Sequence, residues 1–249
     1  EVFPLAYFFT PESDIPQGIG FSRFSPGHLS MLAMLVVLSA LVVGLGCRLP
    51  PARRQRLLRT MAGAMVVMEF CKDLILGLIG AFSLGYLPLH LCSLAMFICL
   101  YAAWHPNSDA AGQLLWSLCF SGGLAALLFP DWTRMPIMHF QSLHSFLYHA
   151  MLVQFSLISV ISGQARPRLG RVWKVWVFLL WVALPVYGFN ALFHTNYMFL
   201  NHPIAGTPLA WCAQRPGGYL LNYGLLVAAI LALLNLPFSL CHRIRHRNM

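Results

Sequence analysis

Seven long apolar runs dominate this chain, near residues 28–47, 57–80, 86–104, 112–130, 142–163, 171–193 and 217–241. Each is about the 20 residues that a helix needs to cross the hydrocarbon core of a bilayer. In lipid, every backbone polar group must be satisfied within the protein, which leaves helices and closed barrels. No run alternates as a barrel strand would. Composition agrees: of 249 residues, 59% are hydrophobic and 9% charged, far from the balance of a soluble domain. The expected fold is therefore an all-α, polytopic membrane bundle of about seven transmembrane helices.

The net charge of +9 does not point to nucleic acid. Twelve of the sixteen basic residues lie in alternate loops: Arg48, Arg53, Arg54, Arg56 and Arg59; Arg166, Arg168, Arg171 and Lys174; and Arg243, Arg245 and Arg247. In a seven-helix topology these all fall on one side, so the positive-inside rule puts the N-terminus outside and the C-terminus inside. Such loops suit anionic lipid headgroups, and they lack the interleaved aromatics of a nucleic-acid groove. A bacterial inner (plasma) membrane is the expected location. Residues 1–27, rich in Pro and Phe, read as an outer interfacial arm. Residues 28–241 form the transmembrane domain, and 242–249 a basic cytoplasmic tail. The chain starts at Glu1 rather than Met, so residues are expected to precede it. No cleavable signal is visible, and the first helix can serve for insertion. Cys47 and Cys241 lie near the inner surface, where S-acylation is chemically open.

Polar residues inside the runs carry the functional signal, because groups at membrane depth usually face a cavity or a bundle interior. Glu69, Lys72 and Asp73 share one helical face, at spacings of three and four. Alone, each charge would cost about 2.5–3.5 kcal/mol to insert. Together they form either a structural ion cluster or the wall of a cavity. With a rise of about 1.5 Å per residue, Cys92 lies roughly 9 Å below the outer surface, His149 about 12–15 Å, Lys72 and Asp73 about 12–14 Å, and Asn190 about 5 Å. Four helices thus contribute to one outer layer. Pro88, His90 and Cys92 stand at the mouth of the third run, where Pro88 is expected to start a helix and place Cys92 about two turns down.

A cysteine beside a histidine suits nucleophilic acyl chemistry: the thiolate attacks a carbonyl and the imidazole moves the proton. By itself Cys92 reads first as an inert buried thiol, since free cysteine often behaves as a small hydrophobe. His139, His144 and His149 recur every five residues, which turns them to different faces. A seven-helix zinc hydrolase would carry an HxxxH pair on its last helix, and 217–241 contains no histidine. No metal or cofactor is expected. A transporter or sensor with a polar outer cavity is the alternative class, supported by Pro185 and Gly188, which are expected to interrupt the sixth helix.

Several stretches resemble the family of transmembrane protein 164 and its bacterial YwaF-like relatives. They are Phe24-Ser25-Pro26-Gly27-His28-Leu29, Leu87-Pro88-Leu89-His90-Leu91-Cys92-Ser93, Phe146-Leu147-Tyr148-His149 and Asn196-Tyr197-Met198-Phe199-Leu200 followed by Pro203. Arg215-Pro216-Gly217-Gly218-Tyr219 is similar to the family's approach to its last helix. The resemblance implies a lipid acyltransferase that moves a fatty acyl chain onto a lysophospholipid through a cysteine and a histidine. Matched by motif, these are Cys92 and His149. His90, His144, Glu69, Lys72, Asp73 and Asn190 would orient or tune them, and Asn196 and Tyr197 would shape the mouth. The implied partners are membrane lipids, an acyl donor and a lysophospholipid acceptor. Water attack on the same thioester would make the protein a lipid hydrolase.

Overall fold

The computed structural model describes the backbone of residues 5–247 and the side chains of residues 5–239. Glu1, Phe3 and Pro4 of the arm, and the side chains of Cys241, Arg243, Arg245 and Arg247, lie outside the described residues. Among the described residues there is no strand. The long helices are α1 (Pro26–Arg48), α2 (Pro51–Leu78), α3 (Leu91–Trp104), α6 (Phe140–Ile161), α7 (Val172–Phe193) and α9 (Tyr219–Arg247). A further rod runs from Asp109 to Leu128 as α4 (Asp109–Leu114), a π-helical turn (Leu115–Phe120) and α5 (Ser121–Leu128). A short helix, α8 (Pro208–Ala213), precedes α9.

Six of these segments are long and apolar enough to cross a membrane: Pro26–Arg48, Leu84–Trp104, Asp109–Leu128, Phe140–Ile161, Leu169–Phe193 and Tyr219–Ser239. The protein is an integral, multi-pass membrane protein. α2 has 28 residues, but the arginines of its first turns and the charges at Glu69, Lys72 and Asp73 set it apart from the six.

The helix starts follow local chemistry. Ser25 Oγ accepts the His28 N–H with Pro26 next in the chain, and Ser108 Oγ accepts the Ala111 N–H. At α6 a histidine does the same work: His139 Nδ1 accepts the Gln141 N–H at 3.2 Å. Pro185 does not end the sixth long run, contrary to expectation; α7 continues through it to Phe193. A transmembrane helix tolerates an internal proline because neighbouring groups can satisfy the freed carbonyl.

α6 is the axis of the bundle. It packs against α1, α2, α3 and α5, and most of its residues are buried. Its approach to α5 is close enough that a Cβ at Gly123 would stand 3.0 Å from the His149 carbonyl oxygen. α7 and α9 sit outside, with Leu184, Leu192, Leu225 and Leu233 exposed to the surroundings.

The two ends differ. At the basic end, Gln113 donates to Asn235 Oδ1 at 2.7 Å and to Ser117 Oγ at 3.1 Å, and its own oxygen takes the Arg168 N–H at 2.9 Å. That network anchors α9 to the rod. At the opposite end, residues 5–24 fold back onto the bundle. Phe140 N–H donates to the Phe8 carbonyl, Phe21 N–H to the Thr133 carbonyl, and the Arg23 side chain to the carbonyls of Pro130 and Ala205. Ile15 and Phe21 of the arm enter the apolar cluster of Trp132, Ile137 and Phe146, where burial against these rings removes their surface from water.

A Cβ at Gly20 would stand 2.2 Å from the Thr133 carbonyl oxygen and 2.5 Å from that of Arg134. Backbone cannot yield as a side-chain tip can. Gly20→Ala is expected to lift the arm, lower stability by about 1–3 kcal/mol and open residues 5–24 to protease. Thermal unfolding in detergent and limited proteolysis measure both effects.

Candidate functional site

The turn ahead of α3 places the thiol. Leu84–Tyr86 is a 3₁₀ turn, and the α-helix begins only at Leu91, with His90 as its extended N-cap. Cys92 is therefore in the first turn of α3, not two turns down from Pro88. A proline disfavours helical geometry in the residue before it, so the chain must pass Pro88 before the helix can start. The change is chemically significant: the Ser93 backbone N–H lies within reach of the Cys92 sulfur, and the positive end of the α3 dipole lies beneath it.

His90 does not face the thiol. Its Nδ1 accepts the Met198 N–H at 3.4 Å, and its ring packs on Tyr197 at 4.9 Å and Phe199 at 5.2 Å. It ties the start of α3 to the loop after α7.

α6 supplies the second half. The Tyr148 hydroxyl donates to the Cys92 carbonyl at 3.1 Å, which fixes this level of α6 to the first turn of α3. The next residue is His149. Its Nδ1 lies 2.7 Å from the Ser145 carbonyl oxygen. A carbonyl only accepts, so Nδ1 carries the hydrogen and the neutral imidazole has its lone pair on Nε2. That Nε2 is buried with no hydrogen-bond partner. The Trp132 indole lies parallel to the imidazole, with centroids 5.4 Å apart and planes 12° from parallel.

Between α2, α3 and α6 sits a buried carboxylate. Glu69 is 5% exposed. Its Oε1 accepts from Lys72 Nζ at 2.8 Å and from Ser93 Oγ at 3.0 Å. His144 Nε2 stands 3.6 Å from its Oε2, and Lys72 also reaches Asp73 at 3.1 Å. A lone buried charge would be expelled or neutralised; here the carboxylate has an ammonium and a hydroxyl, and the remaining charges are arranged around it. The sequence pattern joined Glu69, Lys72 and Asp73. The fold adds Ser93 and His144.

The loop after α7 is held by two asparagines, Asn190 of α7 and Asn196 of the loop itself. Asn190 Nδ2 donates to the Tyr197 carbonyl at 2.9 Å, while its Oδ1 accepts from Thr195 Oγ1 at 2.8 Å and the Tyr197 N–H at 2.9 Å. Asn196 likewise donates to the His202 carbonyl and accepts from the Asn201 and His202 N–H groups. These bonds hold His194, Met198 and Phe199 at φ of 54–55°, a region that residues with a Cβ enter at a cost. Asn190 and Asn196 are thus occupied by backbone. Tyr197 donates its hydroxyl to the Leu84 carbonyl, and burial pushes its phenol up to about 12, so it remains a proton donor at neutral pH. Beside this loop, Tyr187, Leu200, Asn201 and residues 217–221 line an open groove of about 490 Å³.

The histidines at 139, 144 and 149 meet three separate partners: the Thr10 carbonyl, Glu69 and the Ser145 carbonyl. Sequence reasoning passed over Asp131 and Trp132. Asp131 lies within electrostatic reach of His90, Cys92 and His149. A conspicuous Asp-Trp pair in the loop that leads to a His-rich helix was the available signal.

These features define a class: a multi-pass, all-α membrane protein with a polar layer of thiol, imidazole and carboxylate buried toward one end. The chain belongs to the TMEM164 family, whose model matches residues 23–242. No curated protein and no solved structure matches it.

Removing the carboxylate should strand Lys72. Glu69→Ala is expected to lower stability by about 3–5 kcal/mol. Glu69→Gln, which still accepts from Ser93, should lose less than half of that. Thermal unfolding of the two variants in one detergent gives the comparison.

Proposed function

We propose that this protein is a membrane-lipid acyltransferase working through a Cys92 thioester, with His149 as the proton carrier. The observation that carries the reading is the Tyr148–Cys92 bond at 3.1 Å beside an imidazole whose Nε2 is bare. One residue of α6 pins the thiol's turn, and the next carries a buried lone pair with no hydrogen-bond partner. Family membership supports the same pair by motif.

The chemistry balances in two halves. His149 Nε2 takes the Cys92 S–H proton, and the thiolate attacks an ester carbonyl of a donor phospholipid. The ester C–O bond breaks, and the leaving alkoxide takes the proton back from His149. A lysophospholipid hydroxyl then gives its proton to Nε2 and attacks the thioester; the C–S bond breaks and the thiolate is reprotonated. The Ser93 N–H and the α3 dipole stabilise the thiolate. Glu69, Lys72 and His144 hold α2, α3 and α6 in register, and Asp131 favours the imidazolium that forms in each half. Water in place of the lysophospholipid makes the same pair a hydrolase.

The proposed setting is a seven-pass topology with α2 as the seventh crossing. The basic end lies in the cytoplasm, and the site lies toward the outer face of a bacterial plasma membrane. The distribution of arginines supports that orientation.

Proteoliposomes holding a phospholipid with a labelled acyl chain and an unlabelled lysophospholipid test the reaction by lipid mass spectrometry. Cys92→Ala is expected to abolish transfer, and His149→Ala to slow it by roughly 10²–10⁴-fold. Undiminished exchange in both variants would refute the mechanism.

A further inference from the structure

Among the described residues, few buried side-chain polar atoms lack a hydrogen-bond partner, and two of them belong to rings stacked on each other: Trp132 Nε1 and His149 Nε2. Trp132 is 8% exposed and His149 6%. A buried tryptophan usually places its N–H on an acceptor. An unpaired buried donor costs about 1–3 kcal/mol. His28 shows what the same fold does with a purely structural ring: both its nitrogens are engaged, Nδ1 by the Phe24 N–H and Nε2 by the Leu127 carbonyl. Trp132 and His149 present instead one free donor and one free acceptor.

We propose that this pair is the acceptor subsite: the hydroxyl of the incoming lysophospholipid sits between Trp132 and His149. Its oxygen accepts the indole N–H, and its proton points to His149 Nε2. The inference rests on the acyl-transfer reading and names the substrate group that the site receives. A carbonyl has no proton for Nε2. A phosphate would bring negative charge toward Asp131 and Glu69, both within electrostatic reach of His149. A hydroxyl satisfies both atoms. The walls favour an alcohol on a lipid over water: Trp132 stands edge-on to Phe146 at 5.5 Å and shares an apolar cluster with Ile15, Met135 and Ile137.

The test is a binding measurement on the Cys92→Ala protein, where no turnover can occur. The ligands are a lysophospholipid and its deoxy analogue, with hydrogen in place of the free hydroxyl. The hydroxyl form is expected to bind about tenfold more tightly, the effect of one satisfied buried pair. Adding Trp132→Phe keeps a flat ring on His149 but removes the donor, and should reduce the preference below about threefold. In protein with Cys92 intact, Trp132→Phe should slow discharge of acyl-Cys92 to lysophospholipid more than discharge to water, which intact mass follows. If Trp132→Phe does not fold, fluorine NMR of 5-fluorotryptophan protein reads the same contact: the Trp132 resonance should move with the lysophospholipid and not with the deoxy analogue. Equal binding of the two lipids, or a preference that survives Trp132→Phe, overturns the subsite. A hydroxyl preference without any acyl-Cys92 formation would leave the subsite standing and remove the acyltransferase reading.

Discussion

Glu69 is the interaction on which the site end of the bundle depends. It belongs to α2, accepts from Ser93 of α3 and stands 3.6 Å from His144 of α6. Helices in lipid gain little from apolar contact with one another, since lipid tails are as apolar as leucine; polar contacts therefore weigh more in setting which faces meet. The carboxylate can remain charged there because Lys72 lies one helical turn away, at 2.8 Å. With α2, α3 and α6 held in register, the first turn of α3 meets Tyr148.

The histidines show how environment separates scaffold from candidate chemistry. His28 and His139 each use both ring nitrogens to tie chain segments together, at Phe24 and Leu127 for one and at Thr10 and Gln141 for the other. For His139, burial lowers the pKa against the opposing pull of the Thr10 carbonyl, so it is neutral when it caps α6. His90 joins α3 to the loop at Met198. Nε2 of His144 and Nε2 of His149 both lack a hydrogen-bond partner, but His144 faces the Glu69 carboxylate at 3.6 Å, whereas His149 lies beside an indole with the same lack. A buried polar atom left unmatched is where a ligand group fits most economically.

The loop after α7 acts through its backbone. Asn190 and Asn196 supply the bonds that hold left-handed Met198 and Phe199, and Tyr219 and Tyr223 of α9 donate to the carbonyls of those two residues. The loop in turn packs on His90. This chain of contacts links the open groove at Tyr219 to the N-cap of the helix that carries Cys92.

Much of the fold was legible in the chain itself. Apolar runs of bilayer length leave helices as the answer, because hydrocarbon offers the backbone no other partner. The grouping of Glu69, Lys72 and Asp73 on one face was equally local, since helical periodicity alone creates it. Other features needed the tertiary structure. The start of α3 at Leu91 rather than Pro88 depends on where the 3₁₀ turn and His90 dock. The partners Ser93 and His144 come from other helices. Pro185 was read as a break, yet α7 runs through it. Nothing local marks Trp132 as a partner of His149, on which the fold stacks it. The physical reason is the same throughout: periodicity and hydrophobicity act within a segment and can be read from it. Whether a polar atom finds a partner depends on what distant segments bring beside it, and only the packed bundle decides that.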